Sequence, residues 1–210
     1  SNGKTATASV TVMGAGAARV SFKFSLRGIK PSYTGSSGTY NCFDNLGKLA
    51  VEVVNVPTNK YQSGMSTSFE VVSGEVNANG DQVFKVSNLA LDSTKFASVN
   101  TFNYVKLKGP FHLKRRMCLN NQTAKISETM VCNISLDSDV VYDFADYTLL
   151  AGDVNANGII NTVDYAYVKT RFDASAAVSC GREGDLNMDG VVNSLDANLI
   201  KEALSSKDDE

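Results

Sequence analysis

Through the first two thirds of the chain, apolar and polar positions alternate with a period of two. Residues 19–26 place Val20, Phe22, Phe24 and Leu26 on one face and Arg19, Ser21, Lys23 and Ser25 on the other; residues 48–54 repeat the pattern through Leu49, Val51 and Val53. Successive side chains of a strand point to opposite faces, so such runs predict half-buried strands. Further strands are expected over residues 68–72, 82–87, 102–108, 112–117 and 129–136. Turn-forming clusters separate them at Gly35-Ser-Ser-Gly38, Asn45-Leu-Gly47, Asn79-Gly80 and Gly109-Pro110. Many short strands with no long helix among them predict a mainly β fold, an antiparallel β-sandwich of immunoglobulin-like form, over residues 15–148. Residues 5–12 also alternate and lead into the small, flexible run Gly14-Ala-Gly-Ala-Ala18. The extended N-terminal segment, residues 1–14, pairs within its own domain or completes the sheet of a neighbouring copy. Repeated head to tail, the second arrangement builds a filament.

The period changes after residue 150. Val163, Tyr167, Val168 and Phe172, and then Leu195, Leu199, Ile200, Ala203 and Leu204, recur at helical spacing, which predicts two helices with these groups on one face of each. Each helix follows a stretch of one design: residues 153–164 read Asp-Val-Asn-Ala-Asn-Gly-Ile-Ile-Asn-Thr-Val-Asp, and residues 185–196 read Asp-Leu-Asn-Met-Asp-Gly-Val-Val-Asn-Ser-Leu-Asp. Both carry oxygen-bearing side chains at positions 1, 3, 5, 9 and 12 with glycine at position 6, the spacing of an EF-hand-type calcium loop closed by Asp rather than Glu. A hard cation needs several oxygens at short range, which short side chains at alternate positions supply. The expected metal ligands are Asp153, Asn155, Asn157, Asn161 and Asp164 in loop 1, and Asp185, Asn187, Asp189, Asn193 and Asp196 in loop 2. Ile159 and Val191 at position 7 add backbone carbonyls, with side chains expected to point into the core. Two Ca2+ ions follow. Loop 2 has three carboxylates and loop 1 only Asp153 and Asp164, so loop 2 is expected to bind more tightly. A third stretch, from Glu75, would put Val83 and Val86 at positions 9 and 12; it cannot close round an ion, and a hairpin turn at Asn79-Gly80 is expected instead.

This loop–helix unit, given twice over residues 152–206, resembles the dockerin module of type I, whose repeats read Asp-x-Asn-x-Asp-Gly-x-x-Asn-x-x-Asp. The resemblance implies calcium-dependent folding and docking onto a cohesin module of an extracellular scaffold. The family's partner-reading positions fall here on Thr162, Val163, Lys169 and Thr170 in the first repeat and on Ser194, Leu195, Lys201 and Glu202 in the second. The two sets are only partly alike.

Composition adds limits. With 210 residues the chain has room for two domains, the sandwich and a calcium module over residues 149–210. A formal net charge of −2 gives no electrostatic footprint for nucleic acid. No apolar run approaches a membrane span, and no stretch reads as a secretory leader. Four cysteines suit an oxidising compartment. Four cysteines allow three pairings; the favoured one joins Cys118 to Cys132, which flank a polar stretch between two expected neighbouring strands, and leaves Cys42 with Cys180, a bridge that would pin the sandwich to the calcium module. The sequons at Asn121 and Asn133 are short enough to arise by chance.

No catalytic set is expected. His112, the one histidine, has no nominated nucleophile or carboxylate and is expected at the surface or a strand end. The carboxylate pairs Glu70 with Glu75, and Asp143 with Asp146, sit in no catalytic motif. The acidic run from Asp137 and Asp139 to Asp146 reads as a solvated strand end. Tyr33, Tyr40, Tyr61 and Tyr104 could form a sugar platform, although the chain lacks Trp and the strand pattern allows Tyr104 in the core. The expected protein is therefore a non-catalytic, secreted or cell-surface calcium-binding assembly protein. Its partners are its own copies or a cohesin-like receptor. The alternative is a cellulosome-type dockerin protein whose β-sandwich binds polysaccharide.

Overall fold

The computed structural model describes residues 18–35, 38–55, 60–92, 94–96, 103–117, 134, 136, 140–173 and 178–209. The strand expected over residues 5–12, the Cys118–Cys132 bridge, both sequons, Asp137 and Asp139 lie outside the described residues, as does the run 129–136 apart from Ile134 and Leu136.

The strands are β1 (Arg19–Ser25), β2 (Tyr33–Gly35), β3 (Gly38–Tyr40), β4 (Leu49–Asn55), β5 (Lys60–Thr67), β6 (Glu70–Val76), β7 (Gln82–Ala90), β8 (Asn103–Lys108), β9 (Arg115–Met117) and β10 (Val141–Asp143). One sheet runs β10-β1-β7-β6 and the other β5-β4-β8-β9, with β2 and β3 paired as a hairpin. Alternation decides which faces meet. Val20, Phe22, Phe24, Phe84 and Val86 from the first sheet pack against Leu49, Val51, Val53, Val105, Leu107 and Met117 from the second, in one buried cluster. This is a β-sandwich, centred on aromatic contacts such as Phe24–Phe84 at 5.7 Å and the edge-on Phe69–Phe84 pair at 5.1 Å between ring centroids.

Several boundaries differ from expectation. The pattern missed β5, a sheet edge whose side chains are all exposed or half-buried and so show no apolar period. It also missed β10, three residues long, which pairs parallel to β1 and departs from the antiparallel scheme. β6 lies later than residues 68–72. Only the end of residues 112–117 forms β9; His112 makes an isolated bridge to Ala151. The turn reading of Asn79-Gly80 holds: Asn77 Oδ1 accepts the N–H groups of Asn79 and Asp81, both at 2.9 Å, and Gly80 has φ +72°.

The C-terminal part packs directly onto the sandwich. Its two helices, α1 (Thr162–Lys169) and α2 (Ser194–Glu202), enclose a second cluster of Ile160, Val168, Leu186, Val192, Ile200 and Ala203, which Leu113 joins from the sandwich side. In return Met188 enters the sandwich core. A Cys42–Cys180 disulfide bonds the two parts covalently, as the cysteine arithmetic expected. After α2 the chain runs back along loop 1, bridging Ile159 to Lys207, and reaches β9, where Arg116 N–H donates to Asp209 Oδ2 at 2.9 Å.

His112 sits at this junction and is buried rather than at the surface. Neither ring nitrogen has a partner in hydrogen-bond geometry, although the nearby Arg27 backbone slightly favours the charged ring. Burial dominates and lowers its pKa to about 4, against about 6.5 in an unfolded chain. The folded state thus takes up its proton later than the unfolded one does. Its contribution to stability is complete above pH ~6.5 and is lost as pH falls from ~6.5 to ~4, by about 3 kcal/mol in all. Unfolding curves in saturating calcium should show this fall, and His112→Leu should flatten it.

Candidate metal sites in the paired loops

The two loops share one hydrogen-bond skeleton. In loop 1, Asp153 Oδ1 accepts from Asn157 N–H at 2.9 Å and Oδ2 from Gly158 N–H at 3.1 Å; in loop 2, Asp185 accepts likewise from Asp189 at 3.1 Å and Gly190 at 2.8 Å. Asn155 and Asn187 accept from the amides of Asn157 and Asp189, and Asn157 and Asp189 from those of Ile159 and Val191. At position 12, Asp164 accepts from Val154 and Asn161, and Asp196 from Leu186, Asn187 and Asn193. The position-1, 3, 5 and 12 carboxylates and amides are therefore drawn to one centre in each loop. Gly158 and Gly190 take the left-handed conformation (φ +78° and +76°) that position 6 requires. Ala156 and Met188, both at position 4, are left-handed as well, at +56° and +59°; neither residue type signals this in a sequence.

Position 9 has a second task. Asn161 and Asn193 are the N-caps of α1 and α2, each accepting from the amide two residues on, and Asp164 and Asp196 complete the capping boxes. Position 9 of such loops often reaches its ion through a water. Position 7 differs from expectation: Ile159 is exposed and Val191 half-buried, while position 8, Ile160 and Val192, fills the core. The helix faces differ too. Val168, Ile200 and Ala203 are buried, but Val163, Phe172, Leu195 and Leu204 are exposed. For Val163 and Leu195 the cause is local: each directly precedes the third residue of the first helical turn, Asp164 or Asp196, which points into the loop.

Among the described residues no three His, Cys, Asp or Glu side chains form a metal-holding group by themselves, so Asn oxygens and backbone carbonyls are needed to complete either site. The donor set is all oxygen and suits calcium. Asp153, Asp164, Asp185 and Asp196 are all fully buried. In loop 2, burial first and Asp196 next push Asp185 up to about 7; burial also raises Asp196 to about 6, with Asp189 adding to it. Buried carboxylates that resist ionisation fit a cavity built for a divalent ion.

Other candidates disperse. Glu75 pairs with Lys23, Asp146 accepts from the Ala78 amide, and Asp143 accepts from that of Ala145. Tyr33 donates to the carbonyls of Gly28 and Asn187, bracing loop 2 against the sandwich. Among the described residues no helix is long and apolar enough to cross a membrane.

Fold and site together define a calcium-type loop–helix pair seated on a β-sandwich. Residues 151–205 match the dockerin type I domain, so this part of the chain is a dockerin-type module, a kind that binds calcium. No curated protein matches the chain. Among solved structures, a chain from a type II cohesin–X-dockerin complex of Acetivibrio cellulolyticus, an N-terminal interface mutant, is similar at 18% identity. The match covers 90% of this chain and 97% of that one, with a TM-score of 0.42.

Proposed function

We propose that this is a non-catalytic, extracellular assembly protein whose dockerin module, holding one calcium ion in each loop through the ligands named above, docks onto a cohesin-type receptor by the face of α1. On this reading residues 15–148 are the sandwich and 149–210 the module. The observation that carries it is the set of contacts that the sandwich makes with the α2 face. In α2, Glu202 is bound to Arg27 at 2.8 Å, and Leu199 packs on Gly28, where even a Cβ would lie 2.6 Å from its methyl group. Leu195 and Asn198 line a cleft of about 350 Å³ whose other side is lined by Arg27, Lys30 and Tyr33. A partner that binds Glu202 competes with Arg27 of the sandwich. Exposure by itself does not separate the faces, since Thr162, Val163, Ala166, Lys169 and Thr170 in α1 and Ser194, Leu195, Asn198, Lys201 and Glu202 in α2 are all exposed, Val163 at 62% and Leu195 at 55%; the Arg27 and Gly28 contacts of α2 do.

Val163→Asp should therefore weaken binding of a cohesin by roughly thirtyfold or more, the size of an interface hot spot, while Leu195→Asp changes it little. Titration calorimetry reads both, and equal losses would count against a one-faced mode.

Two further readings have an observation each. Among the described residues β6 is an edge strand with Val71 and Val76 exposed, a place where a neighbouring copy's N-terminal strand could add and build a filament. Tyr61 and Tyr104 flank Val54 on adjacent strands, with the Arg116 guanidinium 4.6 Å from the Tyr104 ring centroid, a pattern compatible with stacking on a sugar. Electron microscopy in calcium and a glycan array separate these from receptor docking.

A further inference from the structure

Asp153, the first ligand position of loop 1, has a partner from outside the loop. Lys108, at the end of β8, places its Nζ 2.6 Å from Asp153 Oδ2 and 3.8 Å from Asp208 Oδ1. Its position is set by the sheet, since Lys108 stands opposite Ala50 in the β4–β8 ladder. The carboxylate does not rely on the lysine for its orientation, because the amides of Asn157 and Gly158 hold both oxygens. Loop 2 has the same amide bonds at Asp185, yet among the described residues neither Asp185 nor Asp196 takes part in an ion pair. The loops are alike in backbone and unlike in charge. At its ligand positions loop 1 carries two carboxylates, with a fixed ammonium and the Asp208 carboxylate beside them, whereas loop 2 carries three at its ligand positions.

We propose that Lys108 is a built-in counter-cation for loop 1, compensating the buried charge of Asp153 before an ion arrives and setting the calcium affinity of loop 1 below that of loop 2. The proposal rests on the reading of both loops as calcium sites. An ammonium beside a buried carboxylate is strongly favourable where the dielectric is low, and the same ammonium opposes an incoming divalent cation. The lysine thus trades affinity in loop 1 for order without calcium. Because α1 begins inside loop 1, this order extends to the docking face.

Calcium titration in an Asp185→Asn background isolates loop 1. There Lys108→Met and Lys108→Gln should tighten calcium binding by roughly tenfold or more, the lower bound for removing a unit charge about 5 Å from a divalent ion at the dielectric of water, about 80. Both variants should melt lower than their parent in excess chelator, with the difference shrinking in saturating calcium. Lys108→Arg should restore both properties. Lys108 is partly exposed, so neutral side chains of similar length leave β8 intact. A merely structural lysine gives the opposite result, with neutral variants that bind calcium more weakly or equally and lose the same stability with and without it; that outcome overturns the proposal. Failure of the calcium reading looks different, since the unmodified protein would then bind no calcium at all.

Discussion

Replacing both Cys42 and Cys180 by Ser should lower the stability of the protein by about 5 kcal/mol, the chain-entropy value for a bridge closing so long a loop. The two cysteines are 138 residues apart in sequence, and the bond ties the segment before β4 to the linker before loop 2. It acts mainly on the unfolded chain, which without it gains the freedom of most of its length. For a chain of this size the loss corresponds to a fall in melting temperature of roughly 10–20 °C. Calorimetry of the double-serine protein reads it directly. A fall of only a degree or two would mean that the sandwich and module contacts hold the ends together in the unfolded ensemble as well.

Asp185→Asn should remove the calcium stabilisation of loop 2, up to about 4 kcal/mol when free calcium is a thousandfold above the dissociation constant. In excess chelator the effect should shrink or reverse in sign. Asp185 is buried beside Asp196 with its pKa raised to about 7, so in the metal-free protein its ionised form is a burden on the fold. For a carboxylate raised in this way, metal-free stability is greatest below the unfolded pKa of ~3.8 and declines as pH rises towards ~7. That trend runs opposite to the one from His112. Protons and calcium compete for the same oxygens, so the loop 2 affinity of the unmodified protein should also fall as pH drops below ~7. Asp153→Asn should cost less in calcium, because loop 1 holds its ion against Lys108. Thermal melts of both variants, with calcium and with chelator, at two pH values, test all of this. Equal losses from the two substitutions would remove the distinction between the loops.

Much of this molecule was legible in the order of its residues, and each success has a local cause. Strands β1, β4, β7 and β8 follow from alternation that buries one face. The hydrogen-bond skeleton of each loop follows from Asp, Asn and Gly at set positions, since those side chains bond to amides only two to five residues away. Periodicity failed where burial was not its cause. β5 is an edge with little to bury, and the first turns of α1 and α2 face the loop centre, not the apolar core. Val163 and Leu195 therefore fall on the outside despite their helical spacing.

By itself the sequence determined a mainly β chain, the paired loops with their donor oxygens, and a module of the dockerin kind, because these depend on neighbours along the chain. The tertiary structure alone decided the strand order, the burial of His112, the capture of α2 by Arg27 and Gly28, and the ammonium of Lys108 on Asp153. Lys108 and Asp153 are 45 residues apart and meet only because the β8 ladder and the Phe111 contacts to Gly152 and Asp153 bring them together. Such meetings depend on how two sheets and two helices share one interface, and no local pattern of residues encodes that.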